Sequence, residues 1–252
     1  MKIDKTSKIV KLSFKVNSLK STLRFLQENL NFDILNHYEY RKPIRYSITE
    51  VGFSENENFK IELVDNFGRL KTFGKKNYYD SIHILLKDSM IQKKEIFDEE
   101  NQQKYEIKKN ENLNQIFQID LLTNNLEKTR EFYINKLKMK IFFENEKQIL
   151  FGYEENEIKL LLKLDKTFKE YNDTTSSDIS LFINDTNIDI FNDISLKDPN
   201  GYLFSKYIPK KERGINFIRW NERKTKIRPN IGYILLVILF LYTFIRPSRV
   251  WY

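Results

Sequence analysis

The chain has 252 residues, with 43 lysines and arginines against 35 acids, no cysteine and only seven glycines. That length allows a substantial core; the missing cysteines exclude disulfides and thiolate metal centres, and so few glycines argue against a nucleotide-cradling fold. Of the net +8, the stretch from Arg219 to Tyr252 carries +6, so the rest is close to neutral and no nucleic-acid partner is expected.

Val10 to Val16 alternates Leu12, Phe14 and Val16 with polar neighbours, the period of a strand. Ser18 or Ser21 caps a helix whose Leu19, Leu23, Leu26 and Leu30 form one buried stripe. Phe32 to Leu35 reads as a second strand, with His37 in the loop after it. Arg45–Phe53 and Phe59–Val64 read as an antiparallel pair joined by a turn at Ser54 to Asn58. Ser81 to Leu86 opens a second unit. The polar stretch from Lys93 to Asn114 holds one expected strand, Lys104 to Ile107, and a linker. Then the first pattern returns: strand Phe117–Leu122, helix Leu126–Lys136, and strands Met139–Phe143, Gln148–Tyr153 and Ile158–Leu164. Asp178 to Ile183 opens a fourth unit. It reaches the turn Asp198-Pro199-Asn200-Gly201 and a last strand, Tyr202 to Tyr207, too soon to contain a helix and two strands, so it reads as truncated.

The return is a true repeat. Leu19-Lys20-Ser21-Thr22-Leu23-Arg24-Phe25-Leu26 recurs as Leu126-Glu127-Lys128-Thr129-Arg130-Glu131-Phe132-Tyr133, displaced by 107 positions. Gly52-Phe53 and Gly152-Tyr153 follow the two copies. A repeat of this size fixes the architecture before any single residue is interpreted. The expected fold is α+β, tandem βαβββ units paired into curved mixed sheets. The first and second units pair over 8–110, and the third and fourth over 115–210. A basic and apolar tail follows at 219–252.

In that tail Ile231 to Ile245 is apolar except for Gly232 and Thr243, bracketed by Pro229 and Pro247. As a helix it spans roughly 22 Å, short of a ~30 Å hydrocarbon core, and flanking arginines extend the match by snorkelling. It reads as a membrane anchor, as an interfacial segment, or as a tail foreign to the natural product. The first twenty residues hold no secretory apolar run, so the body is expected in the cytoplasm.

Three stretches carry a resemblance. They are Leu12-Ser13-Phe14-Lys15-Val16 with its helix, Val51-Gly52-Phe53 leading to Phe59-Lys60-Ile61-Glu62-Leu63, and Leu137-Lys138-Met139-Lys140-Ile141 with Leu150-Phe151-Gly152-Tyr153. With the Asp198 turn, they resemble the vicinal oxygen chelate superfamily, the glyoxalase and bleomycin-resistance fold. Within it, the match is to the glyoxalase-domain-containing protein four family. The resemblance covers residues 8 to about 208 and implies one divalent metal, zinc or nickel, in a curved sheet. Such a metal keeps open positions and acts as a Lewis acid.

Carried over residue by residue, the ligand places fall as follows. In unit one they are Lys11 and Glu62. In unit two they are Ser81, with His83 on the same face, and Glu106. In unit three they are Gln118 and Leu161, and in unit four Asp178 and Ser205. Glu62, His83 and Glu106 form the candidate metal set, with Glu62 also the candidate catalytic base. Lys11 and Gln118 are the candidate ligand-binding residues. The competing readings are an ion pair between Glu62 and Lys11, a structural His83 and a solvent-facing Glu106. The expected function is therefore a glyoxalase-like protein with an eroded metal site that binds a small polar or anionic ligand. The alternatives are a lactoylglutathione-lyase-type isomerase and a membrane-held interaction module.

Overall fold

The structure, a computed structural model, describes residues 7–40, 45–65, 79–87, 93–168, 179–184 and 195–207. Unit one contains β1 (Lys8–Lys15), α1 (Leu19–Leu30), β2 (Asp33–Tyr40), β3 (Tyr46–Phe53) and β4 (Asn56–Asp65). Unit two contains β5 (Tyr79–Lys87), β6 (Glu95–Asp98) and β7 (Gln103–Asn110). Unit three contains β8 (Gln115–Thr123), α2 (Leu126–Asn135), β9 (Lys140–Glu144), β10 (Gln148–Gly152) and β11 (Lys159–Leu164). Unit four contains β12 (Ile179–Asn184), β13 (Ser195–Lys197) and β14 (Leu203–Lys206).

Local chemistry accounts for the helices. The Ser18 side chain accepts from the Ser21 backbone N–H, and Asn125 accepts from that of Lys128, so each helix starts on a side-chain cap. Asn31 closes α1 in the left-handed region (φ 55°), which asparagine tolerates. Leu23, Leu26 and Leu30 are buried, as their spacing requires.

The strands form two curved, mixed, seven-stranded sheets. The first runs β13-β14-β12-β1-β4-β3-β2 and the second β6-β7-β5-β8-β11-β10-β9. Unit one therefore pairs with unit four, through the antiparallel β1–β12 ladder. Unit two pairs with unit three, through β5–β8. The expected pairing of sequence neighbours, 8–110 and 115–210, is corrected here. One contiguous apolar core joins the inner faces of both sheets, including Leu12, Ile61, Ile82, Ile119, Leu160 and Leu181.

Sequence neighbours meet instead through a pair of matching clasps. Asn101 in unit two donates through Nδ2 to Asp98 Oδ2 (2.6 Å) and to Thr22 Oγ1 on α1 (2.8 Å). Asn200 in unit four donates to Asp198 Oδ2 (3.0 Å) and to Thr129 Oγ1 on α2 (3.1 Å). Thr22 and Thr129 are related by the 107-residue repeat. Each hydroxyl donates to the carbonyl four residues earlier, Ser18 and Asn125, which leaves its oxygen free to accept.

Other differences from the sequence reading have local causes. β6 was not expected, because a four-residue edge strand with only Ile96 and Asp98 buried has almost no periodicity to read. β13 is shorter still. His37 lies inside β2, buried, with Nδ1 2.8 Å from Thr49 Oγ1. Among the described residues no helix is long and apolar enough to cross a membrane. Asp178 and the tail from 219, including 231–245, lie outside the described residues.

Candidate functional site on two polar sheet faces

Strand alternation places the polar residues on the face of each sheet opposite the core. In the first sheet, Ser13 is in register with Glu62 across the parallel β1–β4 ladder, and Glu62 with Glu50 across β4–β3. Lys11 precedes Ser13 by two residues and shares its face. Its Nζ lies 2.5 Å from Glu62 Oε2 and 3.6 Å from Glu50 Oε1. Ser13 Oγ donates to Glu62 Oε1 at 3.0 Å. Asn36 Nδ2 donates to Glu50 Oε2 at 2.8 Å, and Lys60 Nζ stands 3.9 Å from the same oxygen. The Lys11 ammonium also lies over the Phe182 ring (4.5 Å) and the Tyr207 ring (5.5 Å). Lys11 and Glu62 are each 4% exposed. The buried Lys11, Glu50 and Glu62 are thus joined at their edge by the partly exposed Lys60. Burial, then Tyr46, Glu62 and Glu50 in turn, push the Tyr40 hydroxyl pKa upward, so the cluster's field reaches the Tyr40–Tyr46 stack.

The second sheet carries its own cluster. His83 Nε2 lies 2.8 Å from Asp120 Oδ2 and 3.1 Å from Ser81 Oγ, and Ser81 Oγ donates to Asp120 Oδ2 at 3.1 Å. Gln118 Nε2 donates to Asp120 Oδ1 (2.7 Å). Lys163 Nζ bridges Asp120 Oδ2 and Asp80 Oδ2, both at 2.6 Å. Burial pushes the Asp120 carboxyl up, but hydrogen bonds from His83, Lys163 and Gln118 outweigh it and hold it below the usual range. Burial likewise pushes the Glu106 carboxyl up, but Lys104, whose Nζ is 3.1 Å from Glu106 Oε1, and then His83 outweigh it and hold it below the usual range. His83 Nδ1 is buried without a hydrogen-bond partner among the described residues, 3.5 Å from Glu106 Oε2.

The expected set is therefore divided. Glu62 and Lys11 lie on the first sheet; His83, Glu106 and Gln118 share the second. Asp120, Lys163, Glu50 and Ser13 were missed. The signal for one of them was present: the 107-residue displacement that carries Lys11 to Gln118 also carries Ser13 to Asp120. Glu50 is two residues before Gly52 and directly opposite Glu62 in the β3–β4 ladder.

The described donors are not grouped as the divalent metal that the resemblance implies would need. Metal ligands must present free lone pairs. On the first sheet each Glu62 oxygen already accepts a hydrogen bond, from Lys11 and from Ser13, and the Lys11 ammonium repels a cation there. Of the two unit-four places, Ser205 lies on β14 and Asp178 lies outside the described residues. On the second, Lys104 and Lys163 neutralise Glu106 and Asp120, and Leu161 occupies the last-strand place. Among the described residues no three His, Cys, Asp or Glu side chains are grouped to hold a metal ion.

No family model matches the sequence, and no curated protein matches it. Solved structures do. Glyoxalase I from Zea mays superposes with a TM-score of 0.61 at 17% identity, over 80% of this chain and 92% of that one. A putative dioxygenase from Bacillus subtilis gives 0.60 at 11% identity, over 88% and 96%. Repeated units, two curved mixed sheets and these superpositions together show that the chain has the fold of the vicinal oxygen chelate superfamily.

Proposed function

We propose that this protein binds a small polar ligand on the polar face of the first sheet, without a divalent metal. The observation that carries the reading is the Lys11 ammonium at 2.5 Å from Glu62, flanked by Glu50. A fixed cation there stands where relatives would need a metal ligand, and it supplies positive charge to a ligand oxygen. Because Glu50 and Glu62 already balance Lys11 and Lys60, a ligand with both donors and acceptors suits the face better than a simple anion. The affinity to the glyoxalase-domain-containing protein four family is part of this proposal and rests on the sequence motifs alone.

The lyase-type alternative requires Glu62 as a free base, and its oxygens are occupied by Lys11 and Ser13. One observation favours a different version of it. On the second sheet the buried His83 Nδ1 faces Glu106 with no hydrogen-bond partner.

The test is metal titration. Chelator-treated protein is mixed in turn with zinc, nickel, cobalt and manganese while Tm and bound metal are measured. Native-state binding must raise stability by mass action. No stoichiometric metal and no rise in Tm are expected. A stoichiometric metal with a rise of several degrees would overturn the proposal. If Glu106→Gln then abolished the rise, the site would be on the second sheet.

A further inference from the structure

A cavity of about 570 Å³ lies where the β3–β4 hairpin and the start of β1 approach β8 and the β10–β11 turn; it adjoins the second sheet's polar face at Phe117, whose ring centre is 5.8 Å from that of His83. Its walls are mixed, with Ile9, Phe53, Phe59, Ile116, Phe117 and Ile158 supplying apolar surface. Charged groups are set into this lining: Lys8, Lys108, Glu155, Glu157 and Lys159.

Two of these charges are already committed. Lys159 Nζ donates to the carbonyl oxygens of Glu154, Glu155 (2.9 Å) and Glu157 (2.9 Å) and lies 4.4 Å from the Phe142 ring centre. It therefore holds the turn. Lys108 lies over the Phe117 ring at 5.1 Å, with its ammonium at the cavity wall. Glu157 is different. Its Oε2 is buried and has no hydrogen-bond partner among the described residues. Burial pushes its carboxyl pKa upward, against the attraction of Lys8. A buried carboxylate oxygen without a partner is costly unless something donates to it. Lys8 and Glu157, of opposite charge, both line the cavity.

The rim is stapled between the sheets. Glu55 in the β3–β4 turn accepts from Lys87 Nζ (2.9 Å) and from Asn114 Nδ2 (2.7 Å). Asn56 Nδ2 reaches Gln115 Oε1 at 3.5 Å. The chamber is thus held open by contacts that do not depend on Glu157.

We propose that this cavity is a second binding site, for a small zwitterion with an apolar body, such as an aromatic α-amino acid. The ammonium group lies against the Glu157 carboxylate, the carboxylate against Lys8, and the ring fills the space between Phe59 and Ile116. The chamber is of the size that holds small organic ligands. This inference does not depend on how the polar face of the first sheet functions, and its failure would leave that proposal standing.

Three probes with one body separate the contributions: L-phenylalanine, 2-phenylethylamine without the carboxylate, and 3-phenylpropionate without the amine. Titration calorimetry on the full chain is expected to show L-phenylalanine binding at least tenfold tighter than either partial analogue. Glu157→Gln is expected to weaken L-phenylalanine at least tenfold while leaving the unliganded Tm near that of the parent, because Oε2 has no hydrogen bond to lose. Leu113→Trp, which fills the chamber, is expected to abolish binding. No binding of L-phenylalanine, equally tight binding of 3-phenylpropionate, or unchanged affinity in both variants would overturn the proposal.

Discussion

Lys11 shows how a single side chain can redefine a face. It is buried with two carboxylates, and removing one partner of such a group leaves the others desolvated and uncompensated. Lys11→Met is expected to cost about 3–5 kcal/mol in urea denaturation. The double variant Lys11→Met, Glu62→Leu should cost less than the single one, because Glu50 keeps Asn36 and Lys60. A cost below about 1 kcal/mol for Lys11→Met, the range of exposed pairs, would contradict the buried cluster. Asp198 makes a second argument at this scale. Burial pushes its carboxyl up to about 6, although Asn200, Tyr202 and Tyr133 donate to it. The folded state therefore holds this proton more tightly than the unfolded chain, whose carboxyl ionises near 3.8. Its contribution is full below that value and is lost as pH rises through about 6, an effect of up to roughly 3 kcal/mol. Between the parent and Asp198→Asn, the difference in unfolding free energy should shift in favour of the variant over that window. A pH-independent difference would refute the assignment.

Among the elements, the helices were legible and the short edge strands were not. A twelve-residue amphipathic helix with a serine cap states its own boundaries, whereas β6 and β13 exist only because β7 and β14 offer them ladders. The clasps belong to this scale as well. Asn101→Ala and Asn200→Ala each remove the donor to a buried helix threonine. Each is expected to destabilise by about 1–3 kcal/mol, the cost of leaving buried partners unpaired, as measured by urea unfolding. The two effects should be additive, since the clasps share no partner. At Gly152 an added Cβ would stand 2.6 Å from Lys159 Cδ, so Gly152→Ala must displace the lysine that caps the β10–β11 turn. Thermal melts should show a lower Tm for that variant.

Over the whole molecule, the interleaved pairing sets which pieces can stand alone. Residues 79–168 contain every strand of the second sheet. Residues 8–110 contain four strands of the first sheet and three of the second, with β1 stripped of β12 and β5 stripped of β8. The fragment 79–168 is expected to keep a strand-rich circular dichroism spectrum and a cooperative melt, and the fragment 8–110 is expected to do neither. The reverse result would contradict the observed topology.

The sequence alone determined the unit plan, the buried stripes of α1 and the strand faces, because these follow from periodicity, caps and a repeat along one chain. It also put Lys11 with Glu62, since the superfamily's ligand places fall on both. The tertiary structure decided which units share a sheet, and so separated Glu62 from His83, Glu106 and Gln118. It also recruited Asp120 and Lys163, and gave Glu157 a chamber. Those outcomes depend on which strand edges and loops meet in space. The meeting is set by packing two sheets around one core, and no local periodicity encodes it.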